Sequence, residues 1–156
     1  MSRKRHFEVS DPADAASGPP FVGALLRLCW QQVRDRINVA IREAGFTDLQ
    51  EAHLAVFSYP LPDGVRPSDL ARQIHMSRQA ANYLIGQMEE LGYLERRSGP
   101  DSDRRLVHLT ERGWRVADVI YGASRQLQEQ WAREVGPDRF SDLMSALKVL
   151  AIREQR

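Results

Sequence analysis

One stretch of the sequence, SRQAANYLIGQMEEL from Ser77 to Leu91, combines apolar residues at helical spacing with amide side chains between them. At about 100° per residue, a helix gathers such apolar side chains on one face. That face comprises Ala81, Leu84, Ile85, Met88 and Leu91. The opposite face is small and polar, and comprises Gln79, Asn82, Tyr83 and Gly86. The sequence therefore predicts an amphipathic helix with Ser77 as its N-cap.

The polar face has the chemistry to read the edge of a base pair. A side-chain amide such as that of Gln79 or Asn82 offers a donor and an acceptor together, which matches the N6 and N7 edge of adenine in a major groove. Arg78, at the start of the helix, is within reach of guanine or a phosphate. Gly86 costs about 1 kcal/mol relative to alanine, and close approach to a partner is a reason to keep it. Taken singly, an exposed amide more often only solvates its helix, so the assignment depends on the neighbouring residues.

Arginines cluster just after this helix, around a predicted turn. The segments YLERR and RLVHL predict two short strands of a hairpin on either side of SGPDSD. The cluster comprises Arg96, Arg97, Arg104 and Arg105. A helix in the major groove beside a loop at the minor groove or backbone is how a winged helix engages duplex DNA. With 22 basic and 21 acidic residues and a net charge of +1, the chain is no polycation, so such a local patch must supply any attraction to nucleic acid.

The polar helix and the hairpin need further helices to position them. Residues 1–20, rich in charge, Pro, Gly and Ser, predict a flexible arm. Apolar spacing predicts a first helix over 21–44, and Thr47 is the predicted N-cap of a short helix through Phe57. Val65 and Arg66 predict a brief strand, and a helix over 67–74 with a tight turn leads to Ser77.

The C-terminal part predicts two more helices. Thr110 caps a long helix to about Glu134, and the GP at 136–137 separates it from a last helix. The predicted fold is mainly α with a small β-wing, and its layout is that of a winged helix-turn-helix.

The motifs that carry this layout resemble those of one family. RPSDLARQIHMSRQAANYLIGQMEELGYLERR followed by DSDRRLVHLTERG resembles the multiple antibiotic resistance regulator (MarR) family of winged-helix transcription factors. The similarity is concentrated between Pro67 and Gly113. It implies one MarR-like domain over 21–156, in which 21–45 and 111–156 are dimerisation helices and 46–110 is the DNA-binding lobe.

The resemblance also implies partners and roles. It implies a homodimer on an inverted-repeat operator of double-stranded DNA, with one winged helix at each half-site. In the family a wing aspartate holds an arginine for the minor groove, and the matching positions are Asp103 and Arg105. Arg104 then lies beside a phosphate, although Asp101 adds a negative charge at the tip of the wing. The predicted DNA-binding residues are Ser77, Arg78, Gln79, Asn82, Tyr83, Gly86, Arg96, Arg97, Asp103, Arg104 and Arg105.

Many members of the family bind small aromatic or anionic molecules between the dimer helices and the winged domain. The effector-binding residues predicted here are Trp30, Arg34, His53, Phe57 and Trp114. Core packing is the commoner role for an aromatic side chain, so that alternative stays open. Cys29 is a candidate redox sensor, but no adjacent cation or second cysteine favours a reactive thiol.

The sequence favours a regulator over an enzyme. Its four histidines lack metal-ligand spacing, and no phosphate-binding loop or nucleophile motif is present, so we expect no catalytic residue, metal or cofactor. No apolar run approaches the ~18 residues of a membrane span, and we expect a cytoplasmic protein. The predicted function is a dimeric, sequence-specific repressor of transcription that a small effector releases. The alternatives are a winged-helix protein-interaction module that does not read DNA, and a Cys29-based redox regulator.

Overall fold

The computed structural model describes residues 19–58, 63–99 and 102–152, with side chains except at 99, 102–104 and 152. Its helices and strands follow the predicted order, and the mainly α fold with a small β-wing is confirmed. They are α1 (Val22–Glu43), α2 (Glu51–Leu54) with a 3-10 turn (Ala55–Ser58), α3 (Pro67–Gln73), α4 (Arg78–Glu90), β1 (Leu94–Gly99), β2 (Ser102–Leu109), α5 (Glu111–Val135) and α6 (Pro137–Ile152).

The chain divides into two compact units, Met1–Arg34 and Asp35–Arg156, and the boundary lies inside α1. In the described part of the first unit, the helix exposes most of its large apolar side chains. They are Val22, Leu25, Leu26, Leu28 and Trp30, and Phe21, just before the helix, is exposed as well. The second unit holds the hydrophobic core, to which α1 contributes only from Ile37 onward. The predicted arm over 1–20 lies almost wholly outside the described residues, and the predicted boundaries at 45 and 110 stay predictions.

The helix after α1 begins three residues later than its sequence predicts. Thr47 is not the N-cap; Gln50 occupies that position in an extended conformation. The Gln50 N–H donates to Nδ1 of His53 at 3.0 Å, and His53 is only 2% exposed. A buried imidazole therefore supplies the acceptor that begins this helix.

The helix-turn-helix forms as predicted, with one change before it. The brief strand predicted at Val65 and Arg66 reduces to a single bridge, in which Val65 and Val107 exchange two backbone hydrogen bonds of 2.9 and 2.8 Å. Arg66 instead caps α3, because Pro67 at the first helical position fixes a helical start there. Ser77 is the N-cap of α4, and its Oγ accepts from the Ala80 N–H at 3.1 Å.

The wing is longer than predicted. Strands β1 and β2 pair antiparallel from Leu94 opposite Leu109 to Ser98 opposite Arg105, and the register shifts between Ser98 and Gly99. Most of the predicted SGPDSD loop is therefore strand, and its tip at 100–101 lies outside the described residues.

The ring of Tyr93 is fully buried where α4 passes into the wing. It meets the rings of Phe46 and Phe57 edge to face, at centroid distances of 6.2 and 6.4 Å. Helix α5 begins against the same residue. Thr110 caps α5 by accepting from the Gly113 N–H at 3.1 Å and donates from its Oγ1 to the Gly92 carbonyl at 2.6 Å. The end of α4, the start of α5, the 3-10 turn and the wing thus meet around Tyr93.

Replacing two glycines of α5 by alanine should change the free energy of unfolding in opposite directions. Alanine normally stabilises a helix interior by about 1 kcal/mol relative to glycine. A Cβ on Gly113 would lie 2.3 Å from the Tyr93 carbonyl oxygen, whereas one on Gly122 would meet nothing within 4 Å. We expect Gly113→Ala to lower the free energy of unfolding by about 1–3 kcal/mol. Gly122→Ala, the matched control, should raise it by up to about 1 kcal/mol.

Urea unfolding at one fixed protein concentration measures both variants. A Gly113→Ala protein as stable as Gly122→Ala would contradict the close contact between α5 and Tyr93.

Candidate nucleic-acid interface

Helix α4 presents the polar face that its sequence predicts. Gln79, Asn82 and Tyr83 are exposed, and Tyr83 is 70% accessible. Its hydroxyl accepts from Nε2 of Gln87 at 3.2 Å, one helical turn on. A Cβ on Gly86 would meet nothing within 4 Å, so this part of the helix surface is open to a partner. The opposite face is in the core, with four buried residues: Ala81, Leu84, Ile85 and Met88.

A groove of about 490 Å³ lies between the start of α3, the start of α4 and the wing. Its lining residues are Arg66, Pro67, Ser68, Arg78, Asn82 and Arg105. Three of the predicted DNA-binding residues, Arg78, Asn82 and Arg105, therefore line one concave surface. Arg66, Pro67 and Ser68 are functional candidates that the sequence analysis missed. The signal was the arginine placed directly before the proline that opens α3.

The arginines of this groove have no acidic partner among the side chains that the structure describes. Among the described residues, none forms an ion pair with Arg66, Arg78 or Arg105, and the groove has no acidic lining residue. Positive charges around a concave surface attract an anionic backbone over a range of about 10 Å at moderate salt.

The other arginines of the wing differ in this respect. Arg96 Nε lies 3.4 Å from a carboxylate oxygen of Glu89, and Arg97 pairs with Glu95. Both are exposed, and neither lines the groove. A phosphate would have to compete with these carboxylates. The predicted contacts of Arg96 and Arg97 with DNA stay predictions.

Two predicted wing residues have no described side chain. The backbone of Asp103 and Arg104 lies in β2, but their side chains are outside the described set, as is Asp101 entirely. The roles that the family resemblance assigns to Asp103 and Arg104 stay predictions.

The five predicted effector residues are divided between the two units. Trp30, 56% exposed, and the half-buried Arg34 belong to the first unit. In the second unit, His53 and Phe57 are buried in the core and Trp114 packs partly buried against it. A pocket formed by all five stays a prediction.

A separate cavity of about 220 Å³ lies within the second unit, at the end of α1. Its lining residues are Asn38, Ile41, Arg42, Phe46, Thr47, Leu49 and Leu54. Cys29 is exposed in the described part of the first unit, and its proposed redox role stays a prediction. Within the described ranges, no group of three or more metal-ligating side chains lies together, and no helix is both long and apolar enough to span a membrane.

A polar network holds the residue that joins α4 to the wing. The Tyr93 hydroxyl donates to Oδ1 of Asp48, and Arg112 donates from Nη2 to Oδ2 of Asp48 at 2.7 Å and to the Tyr93 oxygen at 2.9 Å. The Tyr93 hydrogen bond, with the Arg112 charge in addition, lowers the pKa of the Asp48 carboxyl below its ordinary value. Burial, followed by the same hydrogen bond to Asp48, raises the pKa of the Tyr93 hydroxyl. Both shifts favour an ionised Asp48 beside a protonated Tyr93.

The chain is similar to known regulators of transcription. Residues 47–106 match the model of the MarR family. BadR of Rhodopseudomonas palustris, named a transcriptional activatory protein, is 33% identical over 115 residues, which cover 71% of this chain and 63% of BadR. The chain thus spans less than two thirds of that relative's length.

Solved structures share the fold. The apo form of wild-type MarR from E. coli has a TM-score of 0.65 at 18% identity, over 85% of this chain and 98% of that one. A MarR family protein of Mycobacterium tuberculosis, in complex with salicylic acid, has a TM-score of 0.61 at 22% identity, over 86% and 98% of the two chains. The winged-helix fold predicted from the sequence is confirmed.

Acid unfolding tests the network around Asp48. Because the folded-state pKa of Asp48 is lowered from 3.8, its ionised form stabilises the fold above that pH, and the contribution is lost as pH falls through the folded-state pKa. We expect Asp48→Asn to lose less unfolding free energy than wild type on acidification from about pH 5. Tyr93→Phe should flatten the same slope, and Asp48→Asn added to it should flatten it no further. Urea titrations over a pH series measure the slope, and a wild-type slope in Asp48→Asn would contradict the interaction.

Proposed function

This chain belongs to the MarR family, and on that premise we propose that it is a cytoplasmic, sequence-specific DNA-binding regulator of transcription. The observation that carries the proposal is the groove that Arg66, Arg78 and Arg105 line together with Asn82, and none of these three arginines forms an ion pair within the described part of the chain. Phosphate contacts by such arginines supply affinity and orientation, and contacts by an amide to base edges supply specificity. One concave surface thus offers both kinds of group.

In the proposed complex, α4 enters the major groove. Its exposed Gln79 and Asn82 read base edges, and the open surface at Gly86 permits close approach. Arg66, at the start of α3, and Arg78 contact the phosphate backbone, and Arg105 reaches from β2 toward the adjacent minor groove. Arg66 extends the set of DNA-binding residues beyond the one that the sequence predicts.

The proposed assembly is a homodimer on an inverted repeat. In the first unit, α1 exposes a run of large apolar side chains, and in the second unit α6 exposes Leu143, Val149 and Leu150. Monomers rarely leave apolar surfaces of this kind in water, which supports their burial against a second copy. A two-fold dimer with one reading helix per subunit fits half-sites about 10 base pairs apart, centre to centre.

We further propose regulation by a small aromatic or anionic effector. The Mycobacterium tuberculosis relative was solved in complex with salicylic acid, which supports this chemical class. Trp30 and Arg34 carry the proposed response, and release of a repressor is its proposed result. The relative BadR is named as an activator, so the sign of regulation has to be measured with a reporter gene under the selected operator.

Salt titration separates residues that read sequence from residues that hold phosphate. On an operator obtained by selection from genomic DNA, Gln79→Ala and Asn82→Ala should each lose about 1–3 kcal/mol of binding free energy and lose little on scrambled duplex. Arg66→Ala and Arg105→Ala should weaken both duplexes and reduce the salt slope by about 1, because one fewer counterion is released. Arg105→Ala should also lose preference for A·T-rich flanks.

Arg72→Ala is the matched control, since Arg72 is an exposed arginine of α3 that pairs with Asp69 outside the groove. It should keep the wild-type slope. If Arg66→Ala and Arg105→Ala bind both duplexes as tightly as wild type, the groove does not hold DNA, and a winged-helix protein-interaction module becomes the better assignment.

A single charge on α1 tests the proposed dimer. Leu25, 46% exposed, is changed to Glu, which places a carboxylate on a surface proposed to be dry. We expect Leu25→Glu to sediment as a folded monomer with unchanged helical content and to lose most of its affinity for the full operator. Gln73→Glu, with the same charge on exposed α3, should stay dimeric. A dimeric Leu25→Glu protein, or a monomeric wild type, would contradict the assignment.

A further inference from the structure

Tyr93 is the joint between α4 and the wing, the two parts of the proposed DNA-binding surface. Its N–H donates to the Met88 carbonyl at 2.8 Å and closes the end of α4, and the residue that follows it begins β1. Gly92, immediately before it, has a φ of +77°, a backbone conformation that glycine adopts without strain. The angle between α4 and the wing is therefore set over two residues, one of which is the most permissive type.

The Tyr93 side chain ties this joint to distant segments. Its hydroxyl meets Asp48, 45 residues earlier in the chain, and Arg112, 19 residues later. Asp48 lies in the connection before α2, and Arg112 lies in the first turn of α5, with its Cζ 4.5 Å from the centre of the Tyr93 ring. None of the three lines the groove that holds Arg78, Asn82 and Arg105. The network thus contacts the joint and not the groove.

We propose that Asp48, Tyr93 and Arg112 are positioning residues for DNA binding, which fix the angle between α4 and the wing so that both meet one duplex at once. The inference rests on the proposed function. Simultaneous contact requires Asn82 on α4 and Arg105 on β2 to keep their spacing before DNA arrives, because ordering them on binding would cost affinity. The buried ring keeps the joint in the core. The hydrogen bonds of the hydroxyl fix the orientation of the joint, which apolar packing alone does not do.

Two variants change the network without touching the groove. Tyr93→Phe keeps the ring contacts to Phe46 and Phe57 and removes only the hydroxyl. We expect it to bind operator roughly tenfold more weakly than wild type, with an unchanged salt slope, because no phosphate contact is lost.

Asp48→Asn makes the protein more positive, so electrostatics alone would strengthen its binding to DNA. Positioning predicts the opposite sign, a roughly tenfold weaker operator complex. Since both variants break the same network, the double variant should bind no more weakly than either single one. Operator affinity at or above wild type in both single variants would overturn the inference.

Val116→Ala controls for lost stability. Val116 is fully buried in α5 and belongs to neither the network nor the groove, so the variant is destabilised by a core cavity. Measured where all proteins are folded, it should bind operator like wild type. If Val116→Ala weakens binding as much as Tyr93→Phe does at comparable stability, the network is merely structural and the inference fails.

A measurement without DNA separates this inference from the proposed function. Spin labels at Gln79→Cys on α4 and Ser98→Cys on β1, in a Cys29→Ser background, report the distance between helix and wing. Tyr93→Phe should broaden or shift that distance, and Val116→Ala should leave it as in wild type. A wild type that binds no duplex overturns both proposals. A wild type that binds, with label distances and affinity unaffected by Tyr93→Phe, overturns only the positioning role.

Discussion

The α-carbon of Gly113 approaches the Tyr93 carbonyl so closely that a Cβ at residue 113 would lie 2.3 Å from its oxygen. This contact sets α5 against the junction of α4 and the wing, and the cap of α5 forms at the same place, because Thr110 bonds both Gly92 and Gly113. Helix α5 is 25 residues long, so a small change at its first turn would move its far end by many ångströms. The arrangement of the second unit therefore depends on a close backbone contact that a larger residue would prevent.

The distribution of charge gives a chain of net charge +1 a local basic surface. Two of its acidic side chains pair with exposed arginines of the wing, Glu89 with Arg96 and Glu95 with Arg97. The groove keeps Arg66 and Arg105 without such partners among the described residues. Because a surface ion pair is worth little in water, a phosphate is able to displace one, but each displacement costs part of the affinity. Unpaired arginines bind without that cost, which is why the groove and not the outer wing carries the proposal.

Polar groups in the core determine where the connections lie. His53 is buried beneath the start of α2 and accepts the N–H that begins it. The Tyr93 hydroxyl bonds to both Asp48 and Arg112. A buried polar group without a partner costs more than its hydrogen bond gains, so each of these side chains specifies one arrangement of its loop. The loop between α1 and α2 is therefore held at Asp48 by Tyr93 and at Gln50 by His53.

Features that have a local cause could be predicted from the sequence. Helical periodicity predicted the buried and exposed faces of α4, and the hydroxyls of Ser77 and Thr110 predicted the caps, because a cap needs only residues within one turn. Tertiary contacts set which arginines lack an ion pair among the described residues, that Gln50 and not Thr47 is the N-cap of α2, and that Asp48 bonds to Tyr93. These contacts join segments far apart in the chain or depend on a buried side chain. Neither the spacing nor the type of residues along the chain indicates a hydrogen-bond partner 45 residues away.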